Sequence, residues 1–287
     1  MKYHIHENGW TVIVDEIDLI NPTQEDANEI CRLLDSNTLV VIPRTNITMK
    51  DELKFINLFH EVETYDKPPE SETIGKCVIP DSECKLIPVT GRIVKDGKTG
   101  IFGHPAELKW HCNGPASPAS KLIVYLRGIE GTTGSITQWT NNFLAYDDLT
   151  PELFDEIKDL QGVFGHDAER LSPALEHMPG KFINEEYTPS IIRENRQGRK
   201  GIFFPYLQMF YFKGMTEEQS QPIIDKLAKH ITQDKYIYSH DWQDGDIVLA
   251  DMVFGIHRRL EFQSIDKRLL HRSSFNYIPQ DYLNPKK

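Results

Sequence analysis

The stretch from Asp241 to Arg272 constrains this chain more than any other. Asp244-Gly245-Asp246 is a tight bend, because Asp and Gly accept the positive φ that such a turn needs. Ile247-Val248-Leu249-Ala250 is a short apolar run bounded by that bend and reads as a buried strand. His257 follows, with Arg268 and Arg272 standing 11 and 15 positions beyond it. A lone histidine ahead of arginines is ordinary, so it gains meaning only through a partner elsewhere. Trp110-His111-Cys112-Asn113-Gly114 supplies one. In extended backbone, residues i and i+2 project to the same side, so His111 and Asn113 converge while Cys112 faces away. His111 and His257 are 146 residues apart, so they must be brought together by distant strands of one compact fold. Two histidines and one oxygen donor leave several coordination positions of a metal open, the arrangement of non-haem iron(II) oxygenases. A guanidinium beyond the second histidine suits a dicarboxylate, because its planar fork matches carboxylate geometry.

Bulk properties restrict the alternatives. A chain of 287 residues, 39% hydrophobic and 26% charged, fits one ordinary globular domain. The formal net charge of −11 argues against nucleic acid or an anionic membrane as the main partner. No apolar run approaches the roughly 20 residues of a membrane span, and the opening Met1-Lys2-Tyr3-His4 lacks a signal-peptide core. Cys31, Cys77, Cys84 and Cys112 are too few and too scattered for a disulfide framework. A cytoplasmic protein acting on a small molecule is expected, and a homo-oligomer is compatible with everything above.

Along the chain, Trp10–Val14 is expected as a strand and Thr23 as the cap of a helix with Ala27, Ile30, Leu33 and Leu34 inward. Thr38–Ile42 reads as a core strand, and Thr48 opens a second helix. From about 67 to 108 glycines and prolines break up short apolar fragments, which suggests a lid-like insertion or an irregular wrapping segment. His104 is expected at the surface. Lys121–Arg127 and Ile136–Trp139 are expected strands, Thr150 starts a helix with Pro at its first position, and Thr216–Ile231 is an amphipathic helix with a capping box. The segment Gly165–Gly201 reads as polar and irregular. Ile202–Phe212 reads as a core strand, its aromatics filling the interior in preference to walling a pocket.

Several motifs, in this order, resemble the taurine dioxygenase (TauD/TfdA) family of Fe(II)- and 2-oxoglutarate-dependent oxygenases. They are Trp110-His111-x-Asn113-Gly114, Gly131–Thr137, Asn142–Glu152, Trp242-x-x-Gly245-Asp246, Asp251, His257-Arg258-Arg259 and Arg268. The resemblance implies a mixed α+β, mainly β fold: a double-stranded β-helix (jelly-roll, cupin-like) core flanked by helices. It implies His111, Asn113 and His257 as metal ligands and catalytic residues, with Fe(II), 2-oxoglutarate and O2 as cofactor and co-substrates. Thr137 and Arg268 would hold the distal carboxylate of 2-oxoglutarate. Arg272 is either a second anchor or a structural ion-pair partner. The implied reaction hydroxylates or desaturates a small polar organic acid, amino acid or natural-product intermediate, with release of succinate and CO2. One departure matters: the family places Asp or Glu where this chain has Asn113. An amide oxygen still coordinates a metal, but without a negative charge. That leaves an active variant, a non-catalytic binding protein on the same scaffold, or a site rebuilt for other chemistry. A cupin-like hydrolase or isomerase using another divalent metal is a third class.

Overall fold

The structure is a computed structural model that describes residues 1–65, 78–90, 104–172, 175, 180–263 and 267–279. Among these residues the larger sheet has seven strands, ordered Lys2–Ile5, Val12–Glu16, Leu39–Ile42, Ile247–Asp251, Ile123–Glu130, Leu269–Phe275 and Ile87–Thr90. A second sheet, the smaller of the two that flank the site, has four, ordered Ile237–Asp241, Ile136–Thr140, His257–Arg259 and Leu108–His111. Val12–Glu16 runs parallel to Leu39–Ile42, and the other neighbours in these two sheets are antiparallel. Spatial neighbours come from opposite ends of the chain, and side chains from both sheets meet in one cavity. The two sheets therefore face each other as a jelly roll.

Ile247–Asp251 is the central strand, and all five of its residues are buried. Ile247 and Leu249 join a core under the helices with Val40, Ile42 and Tyr125, whereas Val248 and Ala250 face the second sheet with Leu39, Val41 and Val124. Burying each large aliphatic side chain contributes roughly 1.5–3 kcal/mol, so a strand hydrophobic on both faces anchors both layers. The helices Gln24–Asn37 and Met49–Ile56 cover the outer face. Each begins at a threonine whose side chain and the Asp three residues on cap one another's backbone N–H groups, Thr23 with Asp26 and Thr48 with Asp51. The helix Glu217–Ile231 carries the expected capping box at Thr216 and Gln219.

Alternation along Leu269–Phe275 sends neighbouring residues to opposite sides. His271 lies beside Arg127 in register, on the helix side. There His271 Nδ1 and Arg127 Nη1 meet Glu52 Oε2 at 2.8 and 2.9 Å, and Glu52 is fully buried. This buried network fastens the helix Met49–Ile56 to the sheet, and Arg272 is left facing the other way.

Two expectations need correction. Ile202–Phe212 is not one strand: Lys200–Ile202 ends, a single 3-10 turn spans Tyr206–Gln208, and Met209–Phe212 resumes extended structure. Pro205 forces the break, because it has no N–H for a ladder and a fixed φ, here −74°. The aromatics still fill the core as expected, with Phe203, Phe204, Phe210 and Phe212 buried. The segment Gly165–Gly201 is also more regular than its polarity suggests. Lys181–Asn184 pairs with Gly162–Asp167, and Ile192–Glu194 forms a hairpin with Lys200–Ile202. Of the insertion expected at 67–108, residues 67–77 and 91–103 lie outside the described residues, as does Cys77. The rest supplies the edge strand Ile87–Thr90 and the approach to Leu108–His111.

Candidate active site

His111 closes the strand Leu108–His111 and His257 opens the strand His257–Arg259, and the two residues are direct partners in register. Their ring centroids lie 4.1 Å apart. His111 Nδ1 donates to the Lys109 carbonyl at 2.6 Å; since a carbonyl only accepts, this bond fixes the tautomer and leaves the lone pair on Nε2. Among the described residues, buried His257 Nδ1 has no hydrogen-bond partner. Burial pushes His111 down to about 4, against the opposing Lys109 bond and with help from the Arg272 and Arg259 charges. Burial, then His111 and Arg272, hold His257 well below the usual imidazole range. Both rings are therefore neutral at pH 7, the state that ligates metals.

Asn113 stands just past the strand end, where the chain turns at Gly114 with φ +64°. A side chain on residue 114 would lie 2.1 Å from Ser120 Oγ, so glycine is favoured at this turn. Between the two candidate ligands, the Cys112 peptide is gripped from both sides. Its N–H donates to Gln208 Oε1 at 2.8 Å and its carbonyl accepts from Gln208 Nε2 at 3.0 Å. Among the described residues, buried Asn113 Nδ2 has no hydrogen-bond partner.

The sheets flank a cavity partly open to solvent, and all six residues singled out in the sequence line it: His111, Asn113, Thr137, His257, Arg268 and Arg272. Val89, Leu108, Val124, Leu126 and Leu270 make up the apolar wall. Thr137 Oγ1 accepts from the Trp242 indole at 2.9 Å, which leaves its own hydrogen to donate. Arg268 Nε donates to Ser135 Oγ at 3.0 Å, and its guanidinium lies 4.7 Å from the Phe262 ring centroid.

Arg259, the third residue of the His257-Arg258-Arg259 motif, also lines the cavity. It sits opposite Thr137 in register and lies 4.8 Å from the same Phe262 ring, with Nη2 donating to the carbonyls of His104 and Ala106. Burial pulls Arg268 down to about 9, helped by the Arg259 charge, and burial alone pulls Arg259 down to about 10. Both stay cationic at neutral pH, and a bound anion would relieve the repulsion between them. The signal for Arg259 was available, since i+2 from His257 on a strand shares its face. Gln208 was not findable this way, because its position depends on the turn that Pro205 introduces. Arg258 points away, over Trp110 and towards Gln138. His104 is half-buried and is not among the lining residues.

Two neutral imidazoles on adjacent strands, with an orphaned nitrogen on His257, suit a divalent metal of the borderline class. Among the described residues no group of three His, Cys, Asp or Glu could hold a metal, so Asn113 is the third donor on offer. Such a set is uncharged and should bind more weakly than one with a carboxylate.

Fold and site together define a double-stranded β-helix protein with a candidate metal centre between its sheets. The sequence profile of the taurine catabolism dioxygenase TauD, TfdA family matches residues 7–274, and the chain belongs to that family of 2-oxoglutarate-dependent dioxygenases. It is 22% identical over 206 residues to pentalenolactone F synthase of Streptomyces arenae, covering 64% of this chain and 67% of that protein. It is 20% identical over 276 residues to the alpha-ketoglutarate-dependent 2,4-dichlorophenoxyacetate dioxygenase of Cupriavidus pinatubonensis, covering 91% and 92%. Its fold resembles the crystal structure of AAD-2 in complex with Mn(II) and N-oxalylglycine, with TM-score 0.75, 19% identity and coverage of 96% and 98%.

Proposed function

We propose that this chain oxidises a small organic acid, amino acid or related intermediate at an iron(II) ion held by His111, Asn113 and His257, consuming 2-oxoglutarate and O2. The observation that carries this reading is the convergence of His111, Asn113, Thr137, His257, Arg268 and Arg272 on one cavity from distant parts of the chain. The chemistry supplied by bound iron(II) is dioxygen activation coupled to oxidative decarboxylation of 2-oxoglutarate to succinate and CO2.

The protein's own contribution is placement. The Arg268 guanidinium and the Thr137 hydroxyl donate to the far carboxylate of the co-substrate, and Arg259 adds positive charge beside them. Arg272 serves as a second anchor on the same wall. Leu126, Leu270 and Val124 exclude stray water from the space between carboxylate and imidazoles. His111 and His257 remain unprotonated through the neutral range, so no proton competes for their lone pairs. The Gln208 clamp on Cys112 keeps His111 and Asn113 in one fixed relation. The family match favours catalysis over a non-catalytic scaffold.

The test is succinate release from 2-oxoglutarate with Fe(II), ascorbate and air, for the natural chain, Asn113→Asp and Arg268→Leu. The natural chain should turn over, and Arg268→Leu should raise the KM for 2-oxoglutarate at least about tenfold, the worth of one charge-assisted contact. Absence of succinate from both the natural chain and Asn113→Asp, with no metal bound to either, would sink the proposal.

A further inference from the structure

A second cavity backs onto the first, with Asn113 in the wall common to both. It is partly open to solvent, and Arg193, Tyr187, Lys121 and Phe203 contribute to its lining. Lys121 is already held by Glu61 at 3.2 Å. Arg193 differs: it is half-buried, its guanidinium lies 5.2 Å from the Phe203 ring centroid, and among the described residues it makes no hydrogen bond or ion pair. A guanidinium packed on an aromatic face has its in-plane N–H donors left to satisfy, and a carboxylate matches them two at a time. Asn113 Nδ2, in the shared wall, is a second buried donor that finds no acceptor among the described residues. The loop between them is already ordered, with Ser120 Oγ donating to Gly114 O at 2.6 Å and Asn184 Nδ2 to Ala116 O at 2.8 Å.

We propose that this second cavity is a carboxylate subsite for the substrate, in which Arg193 takes the acid and Asn113 Nδ2 donates a further hydrogen bond. The assignment of the ligand as substrate rests on the oxygenase reading above. It gives the amide at position 113 a function that a carboxylate could not perform. An amide can give its oxygen to a metal and its N–H groups to an acid, whereas Asp has only acceptors to present and would repel the substrate.

The experiment titrates butanoate, by calorimetry, into the full chain saturated with Mn(II) and N-oxalylglycine, which occupies the Arg268 side. Butanamide, the neutral isostere, is the control. Saturable butanoate binding is expected, weakened about tenfold or more in Arg193→Gln, the range of a lost charge-assisted pair, with butanamide indifferent to the change. Arg193→Lys keeps a positive charge beside Phe203 and should fall between, which separates charge recognition from misfolding. Asn113→Asp should move two readouts in opposite directions, raising Mn(II) affinity and lowering butanoate affinity. No saturable butanoate binding to the natural chain, or equal affinity in the natural chain and Arg193→Gln, overturns the subsite. Failure of Mn(II) and N-oxalylglycine to bind counts against the oxygenase reading instead, and the same butanoate comparison on metal-free protein then decides the subsite by itself.

Discussion

Replacing Gln208 by Met keeps its volume and removes both bonds to the Cys112 peptide. Gln208 and Cys112 are 6% and 2% exposed, so the freed N–H and carbonyl would gain no bulk water in exchange. Each buried group left unsatisfied costs about 1–3 kcal/mol, so Gln208→Met should lose about 2–6 kcal/mol of stability across the two. The larger consequence is local. His111 and Asn113 flank Cys112, and a relaxed peptide between them spoils their convergence. Partners that orient ligands in this way typically affect metal affinity by about 10–100-fold. Urea unfolding followed by circular dichroism reads the first effect, and Co(II) binding followed by visible absorption reads the second. Gln208→Glu provides an internal check, because a carboxylate still accepts from the Cys112 N–H but has nothing to donate to the carbonyl. Its losses should be smaller than those of Gln208→Met on both scales. A folded Gln208→Met protein that binds Co(II) as tightly as the natural chain would refute the clamp.

Three further outcomes are expected. Arg268→Lys keeps the charge but loses the fork and the bond to Ser135, so the KM for 2-oxoglutarate should rise about tenfold in the succinate assay, with kcat changed much less. Burial raises Asp251 to about 6, against the bonds from the Tyr277 hydroxyl and the Phe254 and Val253 amides. Its folded pKa lies above the unfolded value, so the folded chain binds the proton more tightly, and this carboxylate penalises folding in full above pH 6 and progressively less as pH falls towards 4. The stability difference between the natural chain and Asp251→Asn should therefore shift by about 2 kcal/mol between pH 7 and pH 4, measured by urea titration at each pH, and a pH-independent difference would contradict it. Glu52→Gln leaves Arg127 and His271 without their shared carboxylate and should cost about 3–5 kcal/mol by the same measurement. The KM for 2-oxoglutarate should be nearly unchanged in Glu52→Gln, because this network lies on the reverse face of the sheet.

What could be read from the sequence followed from local rules. Ile247–Ala250 between a turn and a histidine named the central strand, and the Thr23, Thr48 and Thr216 caps named three helices, because the chemistry of each lies within a few residues. His111 and Asn113 could be paired by strand alternation alone. The same rule applied to His257 would have singled out Arg259. The strand Lys181–Asn184 had no such signal, since its residues are mostly exposed and show no hydrophobic alternation. Gln208 and Arg193 act through contacts about a hundred or fewer residues away in sequence, made by a 3-10 turn and a short hairpin whose positions depend on the packed core. Glu52 reads as one more surface acid on a helix until the sheet behind it supplies Arg127 and His271.

The pairing of His111 with His257 has a mechanical side. Among the described residues Leu108–His111 is the outermost strand of the smaller sheet, and His257–Arg259 is its neighbour. A cation gripped by both imidazoles would rivet that rim to the body of the sheet. Stripping the ion should therefore loosen the border first, offering its backbone to proteases or to the strands of other molecules well before the seven-stranded layer gives way.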